Sequence, residues 1–185
     1  MPFQALILDI QEISCTCHDV NEIIEIGCLY MKSEKITSIF KSFNKPTLHY
    51  TLQDSCTYPA SIRQKDIDSA EDLSEVLIDF TNWLGNINME EGPLKVYVFE
   101  KWPRYRPFLE MIEIHDTIFP TYISGRTHKT IKHLLNLNLG VTVSNLLEGL
   151  ACVILQPVGH RNRSLYNIVN MAQILQYALK NDWRF

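Results

Sequence analysis

The chain has 185 residues, long enough for one domain with a substantial apolar core. Hydrophobic residues make up 46% and charged residues 21%, and the formal net charge is −4, so any contact with a polyanion has to come from a local basic patch. No apolar run reaches the about 18 residues of a membrane span, and MPFQALILDI lacks the basic start of a secretory signal, so no membrane association is expected.

Taken in order, residues 3–10 (FQALILDI) read as a buried central strand. A polar loop at 11–21 follows and contains Cys15, Cys17 and His18. Thiolate and imidazole are good zinc ligands, but no second pair lies at finger-like spacing, so an unmetallated loop is the primary reading and zinc the alternative. Five cysteines are an odd number without a disulfide framework, which points to a reducing cytoplasmic or nuclear compartment. Residues 22–31 and 35–43 flank Lys32-Ser33-Glu34 and predict a hairpin, ended by Lys45-Pro46.

Ser61–Asp68 predicts a short helix or turn. Ser69 with Asp72 resembles a capping box, followed by Leu73, Val76, Leu77, Phe80, Trp83 and Leu84 on one helical face as far as Gly85. Residues 94–99 predict another buried strand, and helices are expected over 105–115, 127–135, 142–150 and 164–180. Leu165, Ile168, Val169, Ala172, Leu175 and Leu179 form the core stripe of the last helix. Three strands, a helix, a strand and then helices give an α/β architecture with a mixed sheet.

The stretch from Lys45 to Phe80 carries a Lys-Pro turn, Leu52-x-Asp54-x-Cys56, Ile62-x-x-x-Asp66-Ile67-Asp68 and an amphipathic helix. It resembles the Eri-type, KapD-like branch of the DEDDh 3′–5′ exonucleases. That resemblance implies a ribonuclease H-like exonuclease fold, a mixed five-stranded sheet flanked by helices, with residues 1–185 as a single exonuclease-like domain. It also implies two-metal phosphodiester cleavage, in which several carboxylates hold two divalent ions about 4 Å apart and a histidine takes the proton of water.

The catalytic positions depart from the family pattern. Asp9 matches the first acid, but the next falls on Gln11, with Glu12 one residue out of register unless a bulge turns it inward. The acid after the fourth strand falls on Pro103 or Arg104, with Glu100 at a different spacing. In GHRNRSLYNIVNMAQIL the histidine position holds Asn162 and the last acid Asn167, while His160 lies two residues early. Of five positions, Asp9, Gln11, Arg104, Asn162 and Asn167, one keeps its carboxylate. One carboxylate does not hold two hard cations, so the expectation is a vestigial site with no cofactor; magnesium or manganese belongs to the alternative of a rearranged active site built on Asp9, Glu12, Glu100 and His160.

Other residues mark what such a cleft does instead. Lys101, Arg104, Arg106, Arg161 and Arg163 are candidates for RNA phosphate binding, against a reading as solvated loop charges. Trp102, Tyr105 and Phe108 are candidates for contact with a protein partner. Arg126, His128, Lys129, Lys132 and His133 form a second basic cluster, placed on a helix. The leading expectation is an inactive interaction module of an RNA-processing or RNA-silencing pathway with protein partners; a non-cleaving RNA 3′-end binder and an active exonuclease are the alternatives.

Overall fold

The computed structural model describes residues 3–15, 21–47, 51–52, 56–57, 61–87, 94–100, 128–160 and 163–185, with only the backbone at 14–15 and 56–57. In chain order its elements are β1 (Gln4–Cys15), β2 (Glu22–Lys32), β3 (Lys35–Lys45), β4 (Cys56–Thr57), α1 (Gln64–Asp68), β5 (Glu71–Asp72), α2 (Leu73–Asn86), β6 (Leu94–Val98), β7 (His128–Thr130), α3 (Ile131–Leu139), α4 (Leu146–Cys152) and α5 (Ser164–Lys180). The sheet runs β5-β3-β2-β1-β6-β7, with β4 paired to β1. β1 is antiparallel to β2 and β2 to β3, whereas β6 is parallel to β1 and β7 parallel to β6. This is the mixed, helix-flanked sheet that the sequence predicts. The five long-range strands are extended by the two-residue β4 and β5, too short to leave a periodic signal.

β1 explains why the sheet sits at the centre. Successive side chains of a strand point to opposite faces, and both faces of β1 are covered, so the strand reads as continuous apolar sequence. Leu6, Leu8 and Ile10 meet Val76, Leu77, Phe80 and Leu84 of α2. Ala5 and Ile7 meet Ile168, Met171, Ala172 and Leu175 of α5, with α3 and α4 contributing Leu135 and Leu150. Phe80 stacks on Trp83 and meets Phe40 edge-on; truncating such a buried ring to alanine costs roughly 3–5 kcal/mol. A third cluster, Ile13, Ile24, Ile62 and Ile67, closes the end of the sheet beside α1.

Several expected boundaries move. β1 continues to Cys15, through the first part of the segment read as a loop, because it pairs on with β2 and β4, and the helix expected over 142–150 starts at Leu146, after the Asn145 cap. The capping box of α2 is Asp72 with Glu75, three residues later than the Ser69 start read from sequence. The reason is β5: Glu71 and Asp72 pair with Asn44 and Lys45, which keeps the chain extended up to the cap. The helix expected from residue 127 begins as strand, because His128, Lys129 and Thr130 pair with Val96, Tyr97 and Val98. Helix geometry starts only at Ile131, where the Thr130 side chain accepts from the His133 N–H. The helix expected over 105–115 lies outside the described residues. Among the described residues no helix is long and apolar enough to cross a membrane.

Candidate functional site

Parity along β1 places Asp9 on the same face as Ala5 and Ile7, at the end of the helix-covered stretch. Its partner across the β1–β2 ladder is Gly27. A Cβ at Gly27 would lie 2.8 Å from the Ser164 Cβ, so a glycine here lets the first turn of α5 sit directly on the sheet. Buried Glu25, 1% exposed, fixes that turn. Its carboxylate accepts the Ser164 N–H at 2.9 Å and faces the Arg163 guanidinium, with Nε 3.1 and 3.2 Å from its two oxygens. A carboxylate at a helix N-terminus also complements the dipole.

One turn into α5, Asn167 donates to Asp9 Oδ2 at 3.0 Å, and Gln11 donates to the same oxygen at 2.7 Å. The structure therefore brings together three of the five positions singled out from the sequence: Asp9, Gln11 and Asn167. Burial pushes the Asp9 carboxyl up to about 6; hydrogen bonds from Asn167, Gln11 and Ser164 oppose that, and the charge of Glu25 adds to it.

Asp9 opens into a cleft of about 770 Å³, whose walls include Phe99, Glu100, Asn145, Glu148, Val158, His160, Asn167 and Asn170. The loop before α5 is pinned by Asn170, which accepts the Val158 N–H at 2.8 Å and donates to its carbonyl at 3.2 Å. Gly159 takes a left-handed φ of 74° beneath the Tyr166 ring, and His160 meets that ring edge-on. Glu100 pairs with Lys132, whose ammonium also lies 5.3 Å from the Phe99 ring centroid. Glu148 accepts the Ser144 N–H and the Asn145 side-chain amide, closing the first turn of α4.

The donor set does not fit a pair of hard divalent cations. Magnesium and manganese need several anionic oxygens directed at one point. Here Asp9 Oδ2 accepts two amide N–H groups, and among the described residues the other two carboxylates lining the cleft are engaged by Lys132 and by the cap of α4. Among the described residues no three His, Cys, Asp or Glu side chains converge as metal ligands.

The remaining sequence candidates are distributed unevenly. Asp9, Glu100 and His160 share the cleft, but Glu12 does not line it. A bulge does fall between Gln11 and Glu12, yet the extra residue lies on β2, and Glu12 is within 3.4 Å of the Asn21 side-chain amide. Of the RNA-binding candidates, Arg163 is the one among the described residues: its guanidinium meets Glu25, the Ser61 carbonyl and the face of Phe43, at 4.7 Å from the ring. Lys101, Trp102, Arg104, Tyr105, Arg106, Phe108, Arg161 and Asn162 lie outside the described residues, as do Cys17, His18 and the Cys15 side chain.

The sequence reading missed Glu25 and the α4 wall. A lone acid inside the apolar run EIIEIGCLYM was the signal for the first, and Asn145-x-x-Glu148, a helix-start pattern, for the second.

Comparison with known proteins agrees with this architecture. A family model described as exonuclease matches residues 6–133. ERI1 exoribonuclease 2 of Xenopus laevis is 31% identical over 77 residues, which are 40% of this chain and 11% of that protein. The chain thus spans a small part of that relative's length. Among solved structures, cell-death related nuclease 4 superposes with a TM-score of 0.84 at 20% identity, covering 97% of this chain and 64% of that one. The nuclease domain of 3′hExo, a DEDDh family member bound to rAMP, gives 0.81 at 19% identity over 98% and 94% of the two chains. A 3′-exonuclease in a structure of 3′-end-specific recognition of histone mRNA stem-loop gives 0.82 at 19% identity over 96% and 64%. At these identities the likeness is one of fold, the ribonuclease H-like exonuclease fold.

Proposed function

This chain belongs to the exonuclease family, and we propose that it is a member whose catalytic centre no longer cuts. In this reading it acts as an interaction module in an RNA-processing or RNA-silencing pathway, with protein partners, in the cytoplasm or nucleus, and without a metal cofactor. One observation carries the proposal: amides from Gln11 and Asn167, where the family pattern has acids, both donate to Asp9 Oδ2. Two-metal catalysis stabilises developing negative charge through cations anchored on carboxylates, and amide N–H groups aimed at the Asp9 carboxylate are the opposite arrangement. Arg104 and Asn162 in the sequence support the same reading.

A second reading, a non-cleaving binder of RNA 3′ ends, is favoured by the cleft itself. It keeps about 770 Å³, and amide and imidazole groups on its wall suit bases and sugar hydroxyls. The relative's name, an exoribonuclease, and the histone mRNA recognised by one structural neighbour make RNA the natural ligand to test.

The deciding experiment incubates labelled single-stranded RNA with the protein over a magnesium and manganese titration, with Asp9→Ala as control. Intact RNA throughout is the expected result. Metal-dependent shortening that Asp9→Ala abolishes would overturn the proposal in favour of a rearranged active site containing Asp9, Glu100 and His160.

A further inference from the structure

The edge of the sheet away from β7 is open. Among the described residues the outer side of β3 is paired where β5 meets it, Asn44 with Glu71 and Lys45 with Asp72, and residues 35–43 have no strand on that side. A bulge divides this stretch. Tyr30 pairs with Ser38 and Met31 with Ile36, which leaves Thr37 extra, its hydroxyl tied to the Tyr30 carbonyl at 3.2 Å. Regular extended backbone therefore runs over residues 38–43, between the bulge and β5, a length of about 20 Å. In an antiparallel ladder alternate residues turn both N–H and C=O away from the partner strand, so this stretch presents a row of donors and acceptors to the outside.

The side chains along the strand carry one sign of charge. β3 reads KITSIFKSFNK, with three lysines and no acid, in a chain of net charge −4. Lys35, Lys41 and Lys45 are exposed and form no ion pair among the described residues, whereas Arg63, Lys132, Arg163 and Lys180 each have a carboxylate. Lys41 borders a hollow that Asp66 and Glu71 also line, but Asp66 is held by Arg63. Ile39, 44% exposed, shares the face of Lys41, since their partners Leu29 and Gly27 are alternate residues of β2. The segment that does pair on this edge is acidic: β5 consists of Glu71 and Asp72, and Asp72 stands opposite Lys45.

We infer that the open stretch of β3 is a docking edge for an extended acidic segment of a partner protein, which adds to the sheet as a further strand. Main-chain hydrogen bonds hold the segment, a carboxylate opposite Lys41 selects it, and an apolar side chain opposite Ile39 covers that residue. A second copy of β3 fits poorly, because it brings lysines and no acid; lysines and a bulge are devices that keep an edge from pairing with its own kind. Nucleic acid answers the lysines but has no backbone N–H row to pair with the strand. No residue of β3 lines the cleft, so the inference names a partner class for an interaction module without depending on whether the cleft cuts.

The test measures fluorescence anisotropy of a labelled peptide with the intact protein. The peptide repeats Glu-Thr-Val-Thr over about ten residues, enough to span the stretch, and places glutamate and valine alternately on one face. Wild type is expected to bind it, and not the same peptide with lysine in place of glutamate. Lys41→Glu changes an exposed, unpaired side chain and turns an attractive cross-strand pair into a repulsive one, so it should weaken binding about tenfold. That variant should bind the lysine peptide more tightly than wild type does. Methylating alternate backbone nitrogens of the peptide separates strand addition from charge attraction. One of the two methylation patterns should abolish binding and the other should leave it, because alternate N–H groups of an added strand face its neighbour.

Absence of peptide binding by wild type, or the same result from both methylation patterns, would overturn the inference. So would an oligouridylate that displaces the labelled peptide as well as unlabelled peptide does, which would assign the edge to nucleic acid. Self-association of the wild type that is lost in Lys41→Glu would likewise overturn it, by assigning the edge to a second copy of this chain.

Discussion

Replacing Asp9 with asparagine should make the protein more stable at neutral pH, against the usual result for a half-buried hydrogen-bonded acid. The native carboxyl holds its proton up to about 6, against a reference of 3.8. Between those values the native state binds more protons than the unfolded chain, so stability falls as pH rises through the interval. By pH 7 the ionised carboxylate costs about 3 kcal/mol relative to its protonated form. Asparagine keeps an oxygen for the Gln11 and Asn167 amides and offers an N–H toward the Ser164 hydroxyl. Those hydrogen bonds already enter the shift; an amide NH2 standing where a carboxylate oxygen was offsets about 1 kcal/mol, which leaves a net gain of about 2 kcal/mol. For a chain of this size that is a rise in Tm of about 4–8 °C.

Urea unfolding of both proteins at pH 4, 5, 6 and 7.5 reads the effect directly. The advantage of Asp9→Asn should be largest at pH 7.5 and should disappear at pH 4, where Asp9 is protonated. Equal stabilities at pH 7.5, or a gain that persists unchanged at pH 4, would refute the electrostatic reasoning.

Glu25→Gln removes one member of a buried pair and weakens the cap of α5; with Arg163 still 19% exposed, chemical denaturation should show a loss of about 2–4 kcal/mol. Gly159→Ala would place a Cβ 2.0 Å from the Tyr166 ring at a left-handed φ of 74°, costing at least about 2 kcal/mol; in a Tyr166→Ala background the measured cost should shrink to that of the backbone alone. Ile154 is 91% exposed and holds a φ of 56°, where a β-branched side chain is strained; Ile154→Asn should stabilise by about 1 kcal/mol in thermal melts. Gln11→Glu with Asn167→Asp gathers three carboxylates at Asp9 and should lower Tm in chelator; manganese should restore it in the variant while leaving wild type unmoved.

Much of this architecture was legible because burial on both faces of β1 and β2 writes itself as uninterrupted apolar sequence, and because α2 and α5 repeat at helical spacing. The short elements were not. β5 is defined by two exposed acids that pair with the end of β3, and β7 by a His-Lys-Thr run whose strand geometry comes wholly from its neighbour; neither has a pattern of its own. At the site, Asp9, Gln11 and Asn167 were singled out through the resemblance to the exonuclease pattern, and the fold brings their three side chains into hydrogen-bond contact. The surroundings of Arg163 were hidden for the converse reason. A cation in a loop looks solvated until the fold brings Glu25, 138 residues away in sequence, against it.

The groups that shape the cleft and the groups that would run its chemistry are physically separable here. Gly27 under Ser164, Glu25 with Arg163, and Asn170 on Val158 position α5 and its loop through sterics and hydrogen bonds that contain no metal ligand. The Gln11 and Asn167 positions lie one contact further in, where carboxylates without bound cations would repel Asp9 and one another. Amides at those two positions remove that repulsion while preserving volume, and they leave every bond of the surrounding frame in place. Burial raises the affinity of Asp9 for its proton, and the two amides work against that shift by donating to the ionised oxygen, so the frame carries a single carboxylate there without help from any further charge.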